Sequence, residues 1–206
     1  MALLGYIFIF YLLLNHYGDV RDFAVISRKF VTQSDKSSVI KLDPDYNYEK
    51  NGEGYDGQFA YFIALDPPGA RYYLDQPVYR YTRILYPVLA RVAALGRTEW
   101  VPFTLVLMNI LSVTVGTWAL AAWCLKHRLT PWLALVYTFC IGQVLAFSRD
   151  LNEMLAYSLV AVGVYFLDCL PHRSLNWLLA GLTFGLAGLA RETTLIFPFL
   201  FALGMV

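Results

Sequence analysis

Apolar stretches alternate with shorter polar connections along most of the chain. The stretches span residues 2–14, 102–125, 132–147, 154–170, 175–190 and 193–206. Several approach the roughly 20 residues that an α-helix needs to cross a hydrocarbon core about 30 Å thick. The pattern predicts an all-α integral membrane protein with about six transmembrane helices. The first helix, residues 1–16, is short, but it lacks the basic start and small-residue cleavage site of a signal peptide.

One long polar segment, residues 17–100, separates the first predicted span from the others. Within it, residues 32–54 have the Ser, Asp, Asn and Lys content of an irregular loop. "GQFAYFIAL" after Asp56 predicts a short helix that "DPPG" ends, because proline cannot continue a helix. "RILYPVLARVAALG" predicts a second helix, which ends at Gly96 and lies at a membrane surface. The segment is therefore predicted to be a large loop with juxtamembrane helices, and residues 101–206 to be five further spans, the last incomplete.

Composition agrees with a membrane protein. Hydrophobic residues make up 58% of the 206 residues and charged residues 15%, whereas soluble domains carry about 25% charged residues. The net charge of +1 provides no field that would attract nucleic acid. The three cysteines lie in separate predicted spans, which indicates buried apolar residues and no disulfide or metal framework. The last apolar stretch continues to residue 206, which predicts the N-terminal part of a longer protein.

Two glycines in "GLTFGLAG", Gly181 and Gly185, are four residues apart. This small-xxx-small spacing is typical of helices that pack closely in a membrane. It predicts a tight helix contact at this place and no chemistry.

The order of the spans predicts that charged residues gather at one membrane face. The loop with Asp56 lies on the same side as "SRDLNEM" (148–154) and "ARETT" (190–194), whereas "KHRLTP" and "PHRS" lie on the other side and contain no acid. Ionisable groups at span ends are costly unless they pair, face water or serve function. Lys and Arg are balanced between the two sides, so charge alone leaves the orientation open. The predicted group consists of Asp56, Arg80, Arg83, Arg149, Asp150, Glu153, Arg191 and Glu192.

Structural roles explain some of the same residues. The doublets Arg149–Asp150 and Arg191–Glu192 have the form of interfacial pairs that end helices. Asp56 is placed to cap the helix that follows it. A cluster of acids would also suit Mg²⁺ or Mn²⁺, although nothing in the spacing selects a metal.

Four motifs together resemble a known family: "GYDGQFAYFIALDP", "YRYTRILYPVLA", "RDLNEMLAYSL" and "LAGLARETTLIFP". Residues 19–198 are similar to bacterial GT-C-like membrane proteins associated with cell-surface glycopolymer formation. The resemblance implies a GT-C glycosyltransferase fold in the bacterial inner (cytoplasmic) membrane, with the large loop on the exterior side. Met154 stands where the family commonly has proline, and full members are longer, so acceptor-binding parts are expected beyond residue 206.

The chemistry implied by the resemblance assigns a role to each polar residue. A carboxylate must take the proton of the attacking hydroxyl, and the arginine fork suits the departing lipid phosphate. Asp56 is the candidate base, with Asp150 and Glu153 as substitutes. The substrate-binding candidates are Arg149 and Arg191, then Arg80 and Arg83, with Glu192 beside them.

The implied partners are a polyprenyl-phosphate-linked sugar, a glycan or lipid acceptor and membrane lipids, with no resident cofactor or metal. The competing hypothesis is a non-enzymatic membrane protein, such as a transporter of lipid-linked glycans or an assembly subunit. It would keep the spans and the charged face without needing a base. Charges in the middle of spans would favour transport, whereas here they lie at span ends, which favours chemistry at the membrane surface.

Overall fold

The computed structural model describes residues 1–32, 46, 54–171 and 174–204, and all regular structure in this part is helical. The predicted irregular loop of residues 32–54 lies almost wholly outside the described residues. The α-helices are α1 (Ala2–Tyr17), α2 (Arg28–Thr32), α3 (Gly57–Leu65), α4 (Pro77–Tyr81), α5 (Leu85–Ala93), α6 (Val101–Lys126), α7 (Ala134–Phe139), α8 (Ile141–Ser148), α9 (Glu153–Val164), α10 (Ser174–Ala190) and α11 (Ile196–Leu203).

One described helical stretch, Thr98–Lys126, is long and apolar enough to cross a membrane. The helices of Pro131–Phe139 and Ile141–Ser148 meet the same criterion only as a pair, and they are bent by 47° at the break between them. Ala2–Tyr17, Ser174–Ala190 and Glu192–Leu203 are shorter apolar helices. The all-α prediction is confirmed, and the six-span count stays a prediction.

Helix α6 is the axis on which the other elements pack. At 1.5 Å per residue its 26 residues extend about 39 Å. Pro102 stands in its first turn, where a missing N–H costs nothing, and α1, α5, α7 and α9 all contact it. A Cβ added at Gly116 would lie 2.6 Å from the Ser158 hydroxyl oxygen, so α6 and α9 approach closely at this glycine. The loop helices α3 and α5 also pack onto α6, which places the loop against the start of this helix.

Large apolar side chains cover much of the outer surface. Leu4 and Phe8 of α1, Trp118 of α6, Leu178 of α10 and Phe199 of α11 are each more than half exposed. Soluble monomers rarely expose such patches together, whereas lipid tails would cover them without cost. The outer surface therefore suits a hydrocarbon environment.

The two helices predicted within residues 17–100 form where the sequence predicts them. Helix α3 ends at Leu65 before the prolines, and α5 is followed by Gly96 in the left-handed region at φ 74°. Tyr86 of α5 is fully buried against α6, where its hydroxyl donates to the Leu105 carbonyl oxygen.

Two smaller predictions are wrong. Gly181 and Gly185 face open space, with no described atom within 4 Å of an added Cβ, because α10 packs on α9 through Ala180 and Phe184 instead. Cys140 is exposed at the bend between α7 and α8 rather than buried.

Candidate active site

The Asp56-Gly57 pair stands where the loop meets the connection between α8 and α9. A Cβ added at Gly57 would lie 2.1 Å from the carbonyl oxygen of Arg149, a separation that no side chain tolerates. Only glycine therefore allows the start of α3 to touch this connection. The contact places Asp56 beside residues 149–153, which lie almost a hundred positions further along the chain.

Asp56 does not cap α3 with its side chain, contrary to the structural alternative considered for it. Its own backbone is helical, and its carboxylate accepts no capping hydrogen bond. The carboxylate instead points to two arginines, 3.0 Å from Arg80 Nη1 and 3.9 Å from Arg83 Nη1. The Asp56 side chain is 52% exposed, so the carboxylate is open to solvent on one side and to cations on the other.

Arg80 is held by a second acid, which the sequence analysis missed. Asp75 accepts from Arg80 Nε at 2.8 Å and from Nη2 at 2.9 Å, the bidentate geometry that fixes a guanidinium. The guanidinium also lies over the Phe59 ring, 4.1 Å from its centroid. Burial opposes the charge on Arg80, but hydrogen bonds to Asp75 and Asp56 raise its pKa above the ordinary value. Arg80 therefore carries a permanent positive charge beside Asp56.

Arg83 is bound in the same way by Glu192, at the start of the last described helical segment. Arg83 Nε and Nη2 donate to the two carboxylate oxygens of Glu192 at 2.9 and 2.7 Å. The Tyr79 hydroxyl contacts both partners and donates to Glu192 Oε1 at 3.3 Å. Hydrogen bonds from Arg83 lower the pKa of Glu192 to about 2. This pair ties the loop to the connection between α10 and α11.

A further ion pair joins Glu153, in the first turn of α9, to Arg191. Asn152 beside it donates to the carbonyl oxygens of Arg83 and Ala190, both at 3.4 Å. Together these contacts close a narrow cleft between α3 and the start of α9. Its lining consists of Asp56, Phe59, Ala60, Ile63, Arg80, Arg83, Leu151, Asn152 and Glu153.

The two Arg-acid doublets do not pair internally, so that part of the structural alternative is wrong. Arg191 binds Glu153 and Glu192 binds Arg83. The guanidinium of Arg149 lies over the Tyr55 ring, 5.5 Å from its centroid, and in the described part of the chain it forms no ion pair.

Asp150 is separated from the other acids. It is 2% exposed, and its Oδ1 lies 2.5 Å from the Tyr86 hydroxyl oxygen and accepts from Asn109 Nδ2 at 3.0 Å. The structure thus gathers Asp56, Arg80, Arg83, Glu153, Arg191 and Glu192 at one face, with Arg149 at its edge and Asp150 beneath it.

A second ionic cluster lies at the far end of α6. Asp168 accepts from Lys126 Nζ at 2.6 Å and lies 2.5 Å from His127 Nε2. The connections predicted to lie there contain no acid, and the sequence analysis missed Asp168 because it belongs to the preceding apolar stretch. The described residues contain no group of three or more His, Cys, Asp or Glu side chains that could hold a metal ion.

The chain was compared with models of protein families, with curated proteins and with solved structures, and nothing matches in any of the three comparisons.

Proposed function

We propose that the chain is a membrane glycosyltransferase that moves a sugar from a polyprenyl-phosphate carrier to a cell-surface glycan or lipid acceptor. The observation that carries the proposal is the Asp56 carboxylate, half exposed in a cleft and 3.0 Å from Arg80. The cleft lies beside the start of α6, a helix long and apolar enough to cross a membrane. A base beside cations at this position suits a lipid-linked substrate whose phosphate stays at the membrane surface.

Asp56 is the best placed of the three candidate bases. A general base must reach the proton that it removes, and the Asp56 side chain is exposed enough for a hydroxyl to approach. Asp150 is buried against Tyr86 and Asn109 and is out of reach of a substrate. Glu153 is engaged by Arg191 and would have to give up that ion pair. The base role is therefore assigned to Asp56.

The arginines at the cleft differ in whether a carboxylate already binds them. Arg80 and Arg83 are held by Asp75 and Glu192 in bidentate pairs, so a phosphate would have to displace a carboxylate. Arg149 forms no ion pair within the described residues, and its backbone touches the start of α3. We assign Arg149 as the first phosphate ligand, because its guanidinium is free to bind two phosphate oxygens.

Localisation in the bacterial inner membrane, with the loop on the exterior side, is part of this proposal. It is supported by the apolar outer surface and by the candidate span Thr98–Lys126. The pairing of Arg80 and Arg83 with acids favours the alternative, a non-enzymatic membrane subunit whose arginines serve only to fix the loop.

Asp56→Asn separates the two hypotheses. Asparagine keeps the size of the side chain but cannot accept the proton, so transfer of labelled sugar from a polyprenyl-phosphate donor should fall roughly 10²-fold or more. Stability should change little, because exposed ion pairs contribute about 0.2–1 kcal/mol. Glu99→Gln, which neutralises an exposed acid outside the cleft, is the matched control and should stay active. Full activity of the Asp56→Asn protein would refute the assigned base, and absence of transfer by the purified wild type would leave the non-enzymatic hypothesis.

Arg149→Lys tests the phosphate ligand independently. An ammonium cannot reproduce the two parallel hydrogen bonds of the guanidinium. We expect the affinity for a polyprenyl phosphate to fall about tenfold, which corresponds to about 1.4 kcal/mol. Unchanged affinity, measured with the purified protein in detergent, would contradict the assignment of Arg149.

A further inference from the structure

The connection between α8 and α9 buries an acid that the proposed reaction does not use. Asp150 is 2% exposed and has a left-handed backbone, with φ 53°. Its contacts are neutral: the Tyr86 hydroxyl from α5 and the Asn109 amide from α6. In the part of the chain that the structure describes, no basic side chain forms an ion pair with it. Burying an ionised carboxylate without a cation is strongly unfavourable. The protonation state of Asp150 therefore has to be determined.

The hydrogen-bond distances answer that question. The Tyr86 oxygen lies 2.5 Å from Asp150 Oδ1, 2.9 Å from the Leu105 carbonyl oxygen and 2.8 Å from Asn109 Nδ2. The hydroxyl has one proton to donate and two lone pairs with which to accept. If Asp150 were ionised, Tyr86 would face two acceptors, and one short oxygen–oxygen contact would lack a proton.

A neutral Asp150 removes the conflict. Its carboxyl proton is donated to the Tyr86 oxygen, the Tyr86 proton is donated to the Leu105 carbonyl, and Asn109 donates the third hydrogen bond to the phenol. Every contact then has one donor and one acceptor. The Asn109 Oδ1 atom, which is buried and has no hydrogen-bond partner, adds a further acceptor rather than a donor to the surroundings of this acid.

We propose that Asp150 is a positioning residue, kept as a neutral carboxylic acid, which fastens the connection bearing Arg149 to α5 and α6. The fastening joins three elements through one phenol: the juxtamembrane helix through Tyr86, the long helix through Asn109 and the site connection through Asp150. The role of Arg149 rests on the proposed function, whereas the proton on Asp150 does not.

Other charged groups near Asp150 are engaged elsewhere. Arg149 on its own connection lies over Tyr55, and Glu153 in the following helix binds Arg191. Asp56, at the start of the contacting helix α3, faces Arg80 and Arg83. None of these groups forms a hydrogen bond or ion pair with the Asp150 carboxyl, so its own burial dominates its titration.

Burial raises the pKa of Asp150 from the ordinary 3.8 to about 7, although its hydrogen bonds with Tyr86 and Asn109 act in the opposite direction. Folding therefore favours the protonated form. The contribution to stability is fully present below pH 3.8, declines as the pH rises, and is lost once the pH passes about 7. The expected signature is a melting temperature that declines as the pH rises from about 4 to about 7 and is constant with respect to this group above that.

Asp150→Asn is the informative variant. Asparagine tolerates a positive φ, its amide donates to the Tyr86 oxygen as the carboxylic acid does, and it cannot ionise. We expect this variant to keep sugar transfer within a few-fold of the wild type and to lose the decline of melting temperature between about pH 4 and pH 7. Asp150→Ala, which removes the donor, should lower both melting temperature and transfer at every pH.

Infrared difference spectra of the purified full chain observe the proton directly. At pH 6 the spectrum of the wild type minus Asp150→Asn should contain the C=O band of a protonated carboxyl, which disappears above about pH 7. Absence of this band would overturn the proposal, and so would identical pH profiles of melting temperature for the two proteins. Loss of transfer in a folded Asp150→Asn protein would show that a charged Asp150 is required, which also overturns it. If the purified wild type transfers no sugar while the band and the profiles are as expected, the proposed reaction fails and the neutral Asp150 stands.

Discussion

Replacing Gly57 with alanine should detach the start of α3 from the connection that carries Arg149. The added Cβ would lie 2.1 Å from the Arg149 carbonyl oxygen, and it would also approach the Arg149 carbonyl carbon at 3.2 Å and the Asp150 carbonyl oxygen at 3.3 Å. All three are backbone atoms, so no side chain can rotate away. One of the two backbones must shift by roughly an ångström, the kind of strain that costs about 1–3 kcal/mol.

The loss should be visible as a lower melting temperature. For a protein of 150–250 residues, 1 kcal/mol corresponds to roughly 2–4 °C, so the expected fall is about 2–12 °C. The assay is thermal unfolding of the purified protein in detergent. Sugar transfer should also fall, even at temperatures where the variant is fully folded, because the backbone shift moves Asp56 relative to the cleft.

Two matched substitutions control for helix propensity. Gly142 in α8 and Gly181 in α10 are helical glycines with no described atom within 4 Å of an added Cβ. Alanine at these positions should leave the melting temperature unchanged or raise it, since a helical glycine is less stable than alanine by about 0.5–1 kcal/mol. If Gly57→Ala is as stable as these two variants, α3 does not contact the 149–150 backbone and the argument fails.

Two further predictions follow from the ionic contacts and the topology. Glu192→Gln should lower the melting temperature at pH 7, because the Glu192 pKa of about 2 means that folding favours the charged form. The stabilisation is present above the ordinary pKa of 4.5 and is lost as the pH falls through about 2, so the melting temperatures of variant and wild type should converge there. A difference that stays constant with pH would contradict the pairing of Glu192 with Arg83. A single cysteine at Glu99 should react with a membrane-impermeant reagent in intact cells and one at Thr130 should not, in a background with the native cysteines replaced; labelling at Thr130 alone would reverse the proposed orientation.

The pattern of apolar stretches was enough to predict that Asp56, Arg83 and Glu192 lie together. Asp56 and Glu192 lie far apart in the sequence, yet both contact Arg83, because the alternating direction of the helices returns the chain to the same end of the molecule. The two loop helices were also predicted, since proline and glycine mark their ends.

The pairing itself could not be predicted. Adjacent residues of opposite charge, such as Arg149 and Asp150, suggest an ion pair when only the sequence is known. The backbone at Asp150 is left-handed, however, and its side chain is buried while the Arg149 side chain is not. Asp75 was missed because an acid in a turn has many structural roles, and only its 2.8 Å contact with Arg80 distinguishes it. The backbone conformation of a single residue decides which charged side chains pair, and the spacing of residues in the sequence does not reveal that conformation.

The distance between Arg83 and Glu192 along the chain has a consequence for biogenesis. The two residues are separated by 109 positions. Ribosomes add about 5–20 residues per second, so Arg83 precedes its partner by roughly 5–20 seconds. During that interval the loop has to be kept in place by contacts already synthesised, such as Arg80 with Asp75. The cleft is therefore completed last, and a nascent chain arrested before Glu192 should display an accessible loop that proteases can reach.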